Sequence, residues 1–316
     1  MSISTNDSTY NDTIHYPPPP PLQCIPWLAL LGTECLTIVI LNAIMIIGFV
    51  KQRQPQRRSK YLIIHQTMVD LLVGLVHGPL MIEWCGSICD LWEYHRSFIT
   101  WLLMLETVLG VQVYQVSFLN LAVISLERVH ATFRPFKHRF IKKWVYGVII
   151  TVIWLVPTVM NSISSGIVPL TFFFAYYAII VFAFYFTVLF VVVACYTSIC
   201  LKVRCNHPRQ HCAAGVRERK LTGTLFLVTF GSLITFLPEI VYWGSWASSP
   251  EFFFSFPSQL SFNYLMVTIT FVVANSLINP IIYAVRMPEV RTSILVIIFR
   301  SAQNFINPID IPLQNR

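Results

Sequence analysis

The chain has 316 residues, of which 55% are hydrophobic and only 11% are charged. A soluble domain of this size carries roughly twice that share of charged residues, about 25%, so composition excludes that class. Apolar runs of about 20 residues recur along the chain, and the alternation typical of a β-barrel is absent. We predict an all-α membrane protein. Its net charge of +8 is then explained by membrane topology and requires no nucleic-acid partner.

Residues 1–24 are predicted to form an extracellular tail. They contain the sequons Asn6-Asp7-Ser8 and Asn11-Asp12-Thr13 and no Lys or Arg. The basic region and the small-residue cleavage site of a signal peptide are absent from this segment. We therefore expect Asn6 and Asn11 to carry glycans outside the cell.

The apolar runs predict a bundle of seven transmembrane helices within residues 25–285. The 58 residues from 144 to 201 carry no charge. As one helix they would rise roughly 87 Å, so they must form a hairpin of two spans, with its turn at 161–169. Residues 286–301 are amphipathic and too short to cross, which predicts an eighth helix on the cytoplasmic surface before a short tail, 302–316.

The distribution of basic residues predicts the orientation of the bundle. Of the 22 Lys and Arg residues, 21 fall on one predicted side of the membrane and Arg96 alone falls on the other. Cytoplasmic loops are enriched in Lys and Arg. The sequence therefore predicts a multi-pass plasma-membrane protein with an extracellular N-terminus and a cytoplasmic C-terminus.

Two ionisable positions within the spans suggest function. Asp70 lies ten residues after Lys60, roughly 15 Å into the membrane, where a carboxylate is costly unless it is paired or hydrated. Arg128 follows Glu127 where the third apolar run ends. The alternatives are a protonated Asp70 that joins helices and an Arg128 that anchors its span at the interface.

Several motifs then follow in the order and spans in which one receptor family has them. They are Asn42, Asp70, Glu127-Arg128-Val129, Arg134-Pro135-Phe136, Trp154, Tyr196, Phe236-Leu237-Pro238 and Asn279-Pro280-Ile281-Ile282-Tyr283. On these motifs the chain resembles the rhodopsin-like (class A) G-protein-coupled receptors over nearly its whole length. The resemblance implies a receptor that binds an extracellular ligand and activates a heterotrimeric G protein.

The resemblance also implies an activation switch at the cytoplasmic face. Arg128, paired with Glu127 and with Glu218 at the foot of span six, would hold the helix ends together. The alternative for Glu218 is a solvated acid in the charged run 217–220. Pro238 would act as the hinge on which span six swings outward. The remaining expected members of the switch are Pro135, Phe136, Tyr196, Phe236, Asn279, Pro280 and Tyr283.

A sodium site in the middle of the bundle is a further implication of the resemblance. Its expected ligands are Asp70, Ser117, Asn275 and Asn279. Oxygen ligands around one carboxylate suit a hard cation, whereas the alternative is an interhelical hydrogen-bond cluster. Sodium bound to the inactive state would lower agonist affinity, because it shifts the population towards that state. No other cofactor is expected.

The chain departs from the family in its outer cysteines and in three helix positions. No Cys occurs at the outer end of span three or in residues 161–171, so both halves of the usual bridge are missing. Cys24, Cys85 and Cys89 lie on the outer side and can form one substitute bridge, with one left over. The replaced helix residues are Phe236 for the usual Trp, Val188 near the usual Pro and Val129 for the usual Tyr.

The sequence does not identify the ligand. Gly110 stands where amine receptors place an Asp, and Val273 stands where a retinal-binding Lys would lie. Glu239 follows Pro238 and should face the pocket, where a buried acid favours a cationic small molecule or peptide, although a protonated or water-paired Glu239 is the alternative. The candidate pocket residues are Glu83, Glu106, Gly110, Gln112, Gln115, Glu239 and Tyr242.

Other classes of membrane protein fit the sequence less well. It lacks the internal repeat of a transporter, the filter-like loop of a channel and a catalytic residue set at useful depth, so no enzymatic activity is expected. A seven-helix transporter and a non-signalling decoy or scaffold receptor remain the alternatives. Substrate uptake compared with ligand-stimulated nucleotide exchange on Gα separates a transporter from a receptor.

Arrestin binding is predicted to be weak, because phosphate recognition needs several charges presented close together. After Tyr283 the only hydroxyl side chains are those of Thr292, Ser293 and Ser301, all in or near the predicted surface helix. We expect slow internalisation and weak arrestin recruitment that truncation after Ser301 does not change. Strong agonist-dependent recruitment that disappears in the truncated chain would contradict this interpretation of the tail.

Overall fold

The computed structural model describes residues 20–51, 60–92, 109–167, 173–205, 213–249, 258–286 and 291–292. These residues form helices and short turns. The helices are α1 (Pro21–Lys51), α2 (Lys60–Leu72), a π-helical turn (Val73–His77), α3 (Gly78–Ile88), α4 (Val111–Phe133), α5 (Pro135–Arg139), α6 (Lys143–Ile167), α7 (Phe173–Cys205), α8 (Ala213–Ser248) and α9 (Ser258–Arg286).

Six helical segments of the described chain are long and apolar enough to cross a membrane: α1, α2 continued through the π turn into α3, α6, α7, α8 and α9. This confirms the all-α class. Of the predicted surface helix at 286–301, only Arg286, Arg291 and Thr292 are described as helical. That element, the cytoplasmic tail and the sequons at Asn6 and Asn11 otherwise lie outside the described residues.

Helix α4 lies at the centre of the bundle, where it packs against α2, α6, α7 and α8. Its buried residues include polar side chains such as Gln112, Gln115, Asn120 and Arg128. Polar residues are tolerated at this depth because they face other helices rather than lipid. This explains why α4, the predicted third span, is less apolar than the outer helices.

The outer helices are apolar on both faces. In α7, Tyr185 and Val192 are buried in the core, whereas Phe186, Phe190 and Val193 are exposed. A helix with apolar residues all around is typical of a membrane span, whose outer face contacts lipid chains instead of water.

Two glycines bring the second span close to α1. A Cβ atom on Gly78 would lie 2.1 Å from Cys35 Sγ, and one on Gly74 would lie 3.0 Å from the Cys35 carbonyl oxygen. Small residues at helix interfaces permit this close approach. Gly74 lies within the π turn, which the apolar pattern of the sequence does not predict.

The outer cysteines form one bridge, between Cys24 and Cys89. It joins the first turn of α1 to the end of α3. Cys85 is the residue left over, and its buried Sγ lies 3.8 Å from Met266 Sδ of α9. The structure thereby selects one of the pairings that the sequence left open.

The bridge is predicted to stabilise the receptor, because it closes a loop with a sequence separation of 65 residues. Cys24→Ser, Cys89→Ser and the double variant should lose the same stability, typically about 2–4 kcal/mol. The measurement is thermal unfolding of the purified protein with and without a reductant, which should lower the stability of the wild type and leave that of the double variant unchanged. A Cys85→Ser control should keep its sensitivity to the reductant, and additive losses in the two single variants would contradict the pairing.

Candidate functional site

A buried ion pair lies at the end of α4 that the sequence predicts to be cytoplasmic. Arg128, only 3% exposed, donates from Nε to Glu127 Oε2 at 2.6 Å, and its Nη2 also contacts that oxygen. The other oxygen of Glu127 lies 2.6 Å from Nε2 of His138 in α5. The structure thus supports the predicted Arg128–Glu127 pair and adds His138, which the sequence analysis missed.

The short helix α5 explains how His138 reaches this pair. Arg134 ends α4, and Pro135 begins the new helix at a position where proline is favoured. One turn later the chain places His138 beside Glu127, while Phe136 is 77% exposed. The large exposed side chain of Phe136 is therefore available on the cytoplasmic surface, as its expected role requires.

For three other expected members of the cytoplasmic switch, the described side chains show no direct contact with the Arg128–Glu127 pair. Tyr196 is buried in α7, and its hydroxyl lies 3.0 Å from Thr229 Oγ1 of α8. Tyr283 is buried in α9, and its hydroxyl has no hydrogen-bond partner among the described residues. Glu218 lies in α8, but its side chain falls outside the described part of the structure, so its predicted pairing with Arg128 stays a prediction.

An aromatic cluster fills the bundle above the switch. Phe236 is fully buried, with its ring centroid 4.3 Å from that of Phe118 and 6.0 Å from that of Tyr185. The residue that replaces the usual Trp therefore packs between α4 and α7. Pro238 follows two residues later inside α8, and Pro280 lies inside α9.

A polar core surrounds Asp70 in the middle of the bundle. Its Oδ1 accepts hydrogen bonds from Gln66 Nε2 at 3.1 Å, Ser117 Oγ at 3.2 Å and Ser276 Oγ at 3.2 Å. Its Oδ2 accepts one from Asn279 Nδ2 at 2.7 Å. Donors from α2, α4 and α9 thus satisfy the buried carboxylate.

This arrangement differs from the predicted sodium ligands in one position. The side chain of Asn275 turns to α8, where its Oδ1 accepts from Thr235 Oγ1 at 3.3 Å, instead of joining Asp70. The sequence analysis missed Gln66 and Ser276. Gln66 lies four residues before Asp70, a spacing that puts both side chains on one face of a helix and could have identified it.

Glu239 is the centre of a second buried cluster, near the outer end of α8. Trp243 Nε1 donates to Glu239 Oε1 at 2.6 Å. Tyr114 of α4 also hydrogen-bonds to this carboxyl group, and His77 of the π turn lies near enough to interact electrostatically with it. Among the described residues no Lys or Arg forms an ion pair with Glu239, and His77 is the basic residue that interacts with it.

Two predicted pocket residues are engaged elsewhere. Gln112 Nε2 donates to Thr158 Oγ1 at 2.5 Å, and Asn161 Nδ2 donates to Gln115 Oε1 at 2.9 Å. Both glutamines therefore join α4 to α6, because they lie three residues apart on one face of the helix. These contacts show one role for each glutamine, and their predicted role in ligand binding stays a prediction.

Of the remaining candidates, Tyr242 contacts an aromatic ring of the Glu239 cluster. The ring of Tyr242 lies 5.4 Å from that of Trp243 and 5.6 Å from that of Tyr264, centroid to centroid. Gly110 is buried just before α4 begins, and Glu83 is half-buried in α3. Glu106 lies outside the described residues.

Comparisons with known proteins agree with this arrangement. Residues 41–283 match the family described as "7 transmembrane receptor (rhodopsin family)". The histamine H4 receptor of Mus musculus is 23% identical over 146 residues, a match that covers 45% of this chain and 35% of that receptor. The family match spans well over half of the chain, from α1 to the Tyr283 motif. The chain therefore belongs to the rhodopsin family of seven-transmembrane receptors.

Proposed function

We propose that this protein is a cell-surface receptor of seven spans, with α4 as the third, that couples ligand binding outside to heterotrimeric G proteins inside. The observation that carries the proposal is the buried Arg128–Glu127 pair beside the exposed Phe136. A buried arginine held by one acid can change partner when the neighbouring helices move apart. The exposed aromatic ring provides a contact surface for the Gα subunit at the same end.

Helix α8 is the element whose movement would open the cytoplasmic side. Thr229 connects it to Tyr196 of α7, and Thr235 connects it to Asn275 of α9. Each such hydrogen bond contributes about 1 kcal/mol net, so a ligand can supply enough free energy to break them. Pro238 lacks the N–H group for one helical hydrogen bond, which makes the helix easier to bend there.

A cationic ligand is supported by the cluster around Glu239. An ionised carboxylate buried without a Lys or Arg partner is costly, and a positively charged ligand would lower that cost. The aromatic rings of Tyr114 and Trp243 can contact a cation through their faces. The relative from Mus musculus is named for histamine, an amine that is cationic at neutral pH. We therefore favour a small amine, held by Glu239 on α8 instead of by an acid at Gly110.

Arg128→Ala is predicted to abolish G-protein activation while surface expression and ligand binding survive. The substitution removes the guanidinium group that would change partner when the cytoplasmic helix ends move apart. It leaves the Glu239 cluster intact. Nucleotide exchange on Gα in membranes measures the first effect, and binding of a labelled agonist measures the second. Unchanged exchange in this variant would make Arg128 a membrane anchor, and no exchange with the wild type despite binding would favour a decoy receptor.

Glu239→Gln is predicted to reduce the potency of a cationic agonist by roughly 100-fold, as expected for the loss of one partly desolvated charge contact worth about 2–3 kcal/mol. The agonist would first be found by screening small amines, including histamine, for nucleotide exchange. Glu34→Gln is the matched control, since this half-buried acid of α1 is not among the candidate pocket residues. An uncharged agonist whose potency is the same for wild type and Glu239→Gln would contradict the cationic ligand.

A further inference from the structure

Gln66 of the polar core is buried and uses both ends of its side-chain amide in hydrogen bonds. Its side chain is fully buried on α2. The carboxamide nitrogen donates to Ser117 Oγ at 2.5 Å and to Asp70 Oδ1 at 3.1 Å, and the carboxamide oxygen accepts from Asn120 Nδ2 at 2.7 Å. The amide therefore bridges α2 and α4.

The orientation of this amide follows from its neighbours. If the Gln66 nitrogen and oxygen were exchanged, the oxygen would face the carboxylate of Asp70 and the nitrogen would face the Asn120 amide nitrogen. Both contacts would be repulsive. The donors instead run in one direction, from Asn120 to Gln66, from Gln66 to Ser117 and from Ser117 to Asp70.

The polar core in this form does not fit a sodium ion. An ion bound by Asp70 and Ser117 would have to lie between their oxygens, and the nitrogen of Gln66 bridges these two oxygens. An amide nitrogen is not a ligand for a hard cation. Asn279 also turns its nitrogen to Asp70, and its own oxygen, which could bind a cation, is buried without a hydrogen-bond partner at the other end of the amide.

We propose that the Gln66 carboxamide is a built-in replacement for the sodium ion, so that this receptor holds α2 and α4 together at Asp70 without a bound cation. A dissociable ion stabilises a protein according to its concentration, whereas a tethered side chain acts at any salt composition. The four hydrogen bonds to Asp70 then stabilise the buried carboxylate, which a bound cation would otherwise have to do. On this proposal Asp70 is held by a hydrogen-bonded cluster, which is the alternative that the sequence analysis left open to the sodium site.

The consequence is a receptor whose stability does not respond to sodium until Gln66 is removed. Gln66→Leu replaces the amide by an apolar group that is one atom shorter, and it removes the nitrogen that bridges the oxygens of Asp70 and Ser117. Sodium can then enter between them. The double variant Gln66→Leu/Asp70→Asn removes the charge that would bind the ion, so the response should vanish again.

Thermal unfolding of the purified receptor in sodium chloride and in potassium chloride, at equal ionic strength, tests the proposal without ligand or G protein. We expect equal unfolding temperatures for the wild type, and a gain of about 3–5 °C in sodium over potassium for Gln66→Leu. Gln66→Ala serves in place of Gln66→Leu if the leucine variant does not fold. Gln115→Leu is the matched control, because it removes a buried glutamine that contacts Asn161 and lies outside the polar core; it should gain no response.

Two outcomes would overturn the proposal. One is a wild type stabilised by sodium over potassium, which would place an ion beside Gln66. The other is a folded Gln66 variant without any sodium response, which would show that Gln66 is only one member of a hydrogen-bond cluster and replaces nothing. Neither outcome bears on G-protein coupling, so the proposed receptor function is tested separately.

Discussion

The structure depends on one constraint: polar groups buried in a bilayer need partners from the protein, because no water is available there. Three buried polar clusters meet this requirement, around Glu239 near the outer end, around Asp70 in the middle and around Arg128 at the cytoplasmic end. Helix α4 supplies a partner to each of them, through Tyr114, Ser117 and Arg128 itself. The central helix therefore carries buried polar side chains at all three levels, and the lipid-facing faces of the helices around it can remain apolar.

Helix α8 also runs past the outer, middle and cytoplasmic clusters, and Pro238 makes it easier to bend. Helix α8 carries Glu239 in the outer cluster, Phe236 in the aromatic cluster and Thr229 beside Tyr196 near the cytoplasmic end. Under the proposed function, a cation bound at Glu239 would act on a helix in which the preceding residue is Pro238. Phe236 lies between Glu239 and Thr229 along α8 and packs against Phe118 of α4. A shift of α8 that extends from Glu239 to Thr229 therefore alters the contact between Phe236 and Phe118. Coupling between the two sides can thus be followed through neighbouring side chains.

The sequence predicted those features that the membrane fixes without reference to neighbouring helices. Span length follows from bilayer thickness, and the depth of Asp70 follows from its distance to Lys60. The rotation of each helix is different, because it depends on what packs against it. Gln112 and Gln115 were assigned to the ligand pocket by depth alone, yet both face α6. Gln66 differs, since its spacing from Asp70 places both side chains on one face of α2, but its contact with Ser117 depends on how α4 is rotated.

The position of the disulfide bond gives Gln112 and Gln115 a structural role. The bridge between Cys24 and Cys89 fastens α1 to the end of α3, and residues 93–133 contain no Cys, so no covalent bond can hold the outer half of α4. That half contacts α6 through Gln112–Thr158 and through Gln115–Asn161, two hydrogen bonds within one turn. Each bond contributes about 1 kcal/mol, less than a disulfide typically does, so the outer end of α4 is held by contacts that can be exchanged. Tyr114 lies between these glutamines and hydrogen-bonds to Glu239, so the helix held by these exchangeable contacts also forms one wall of the Glu239 cluster.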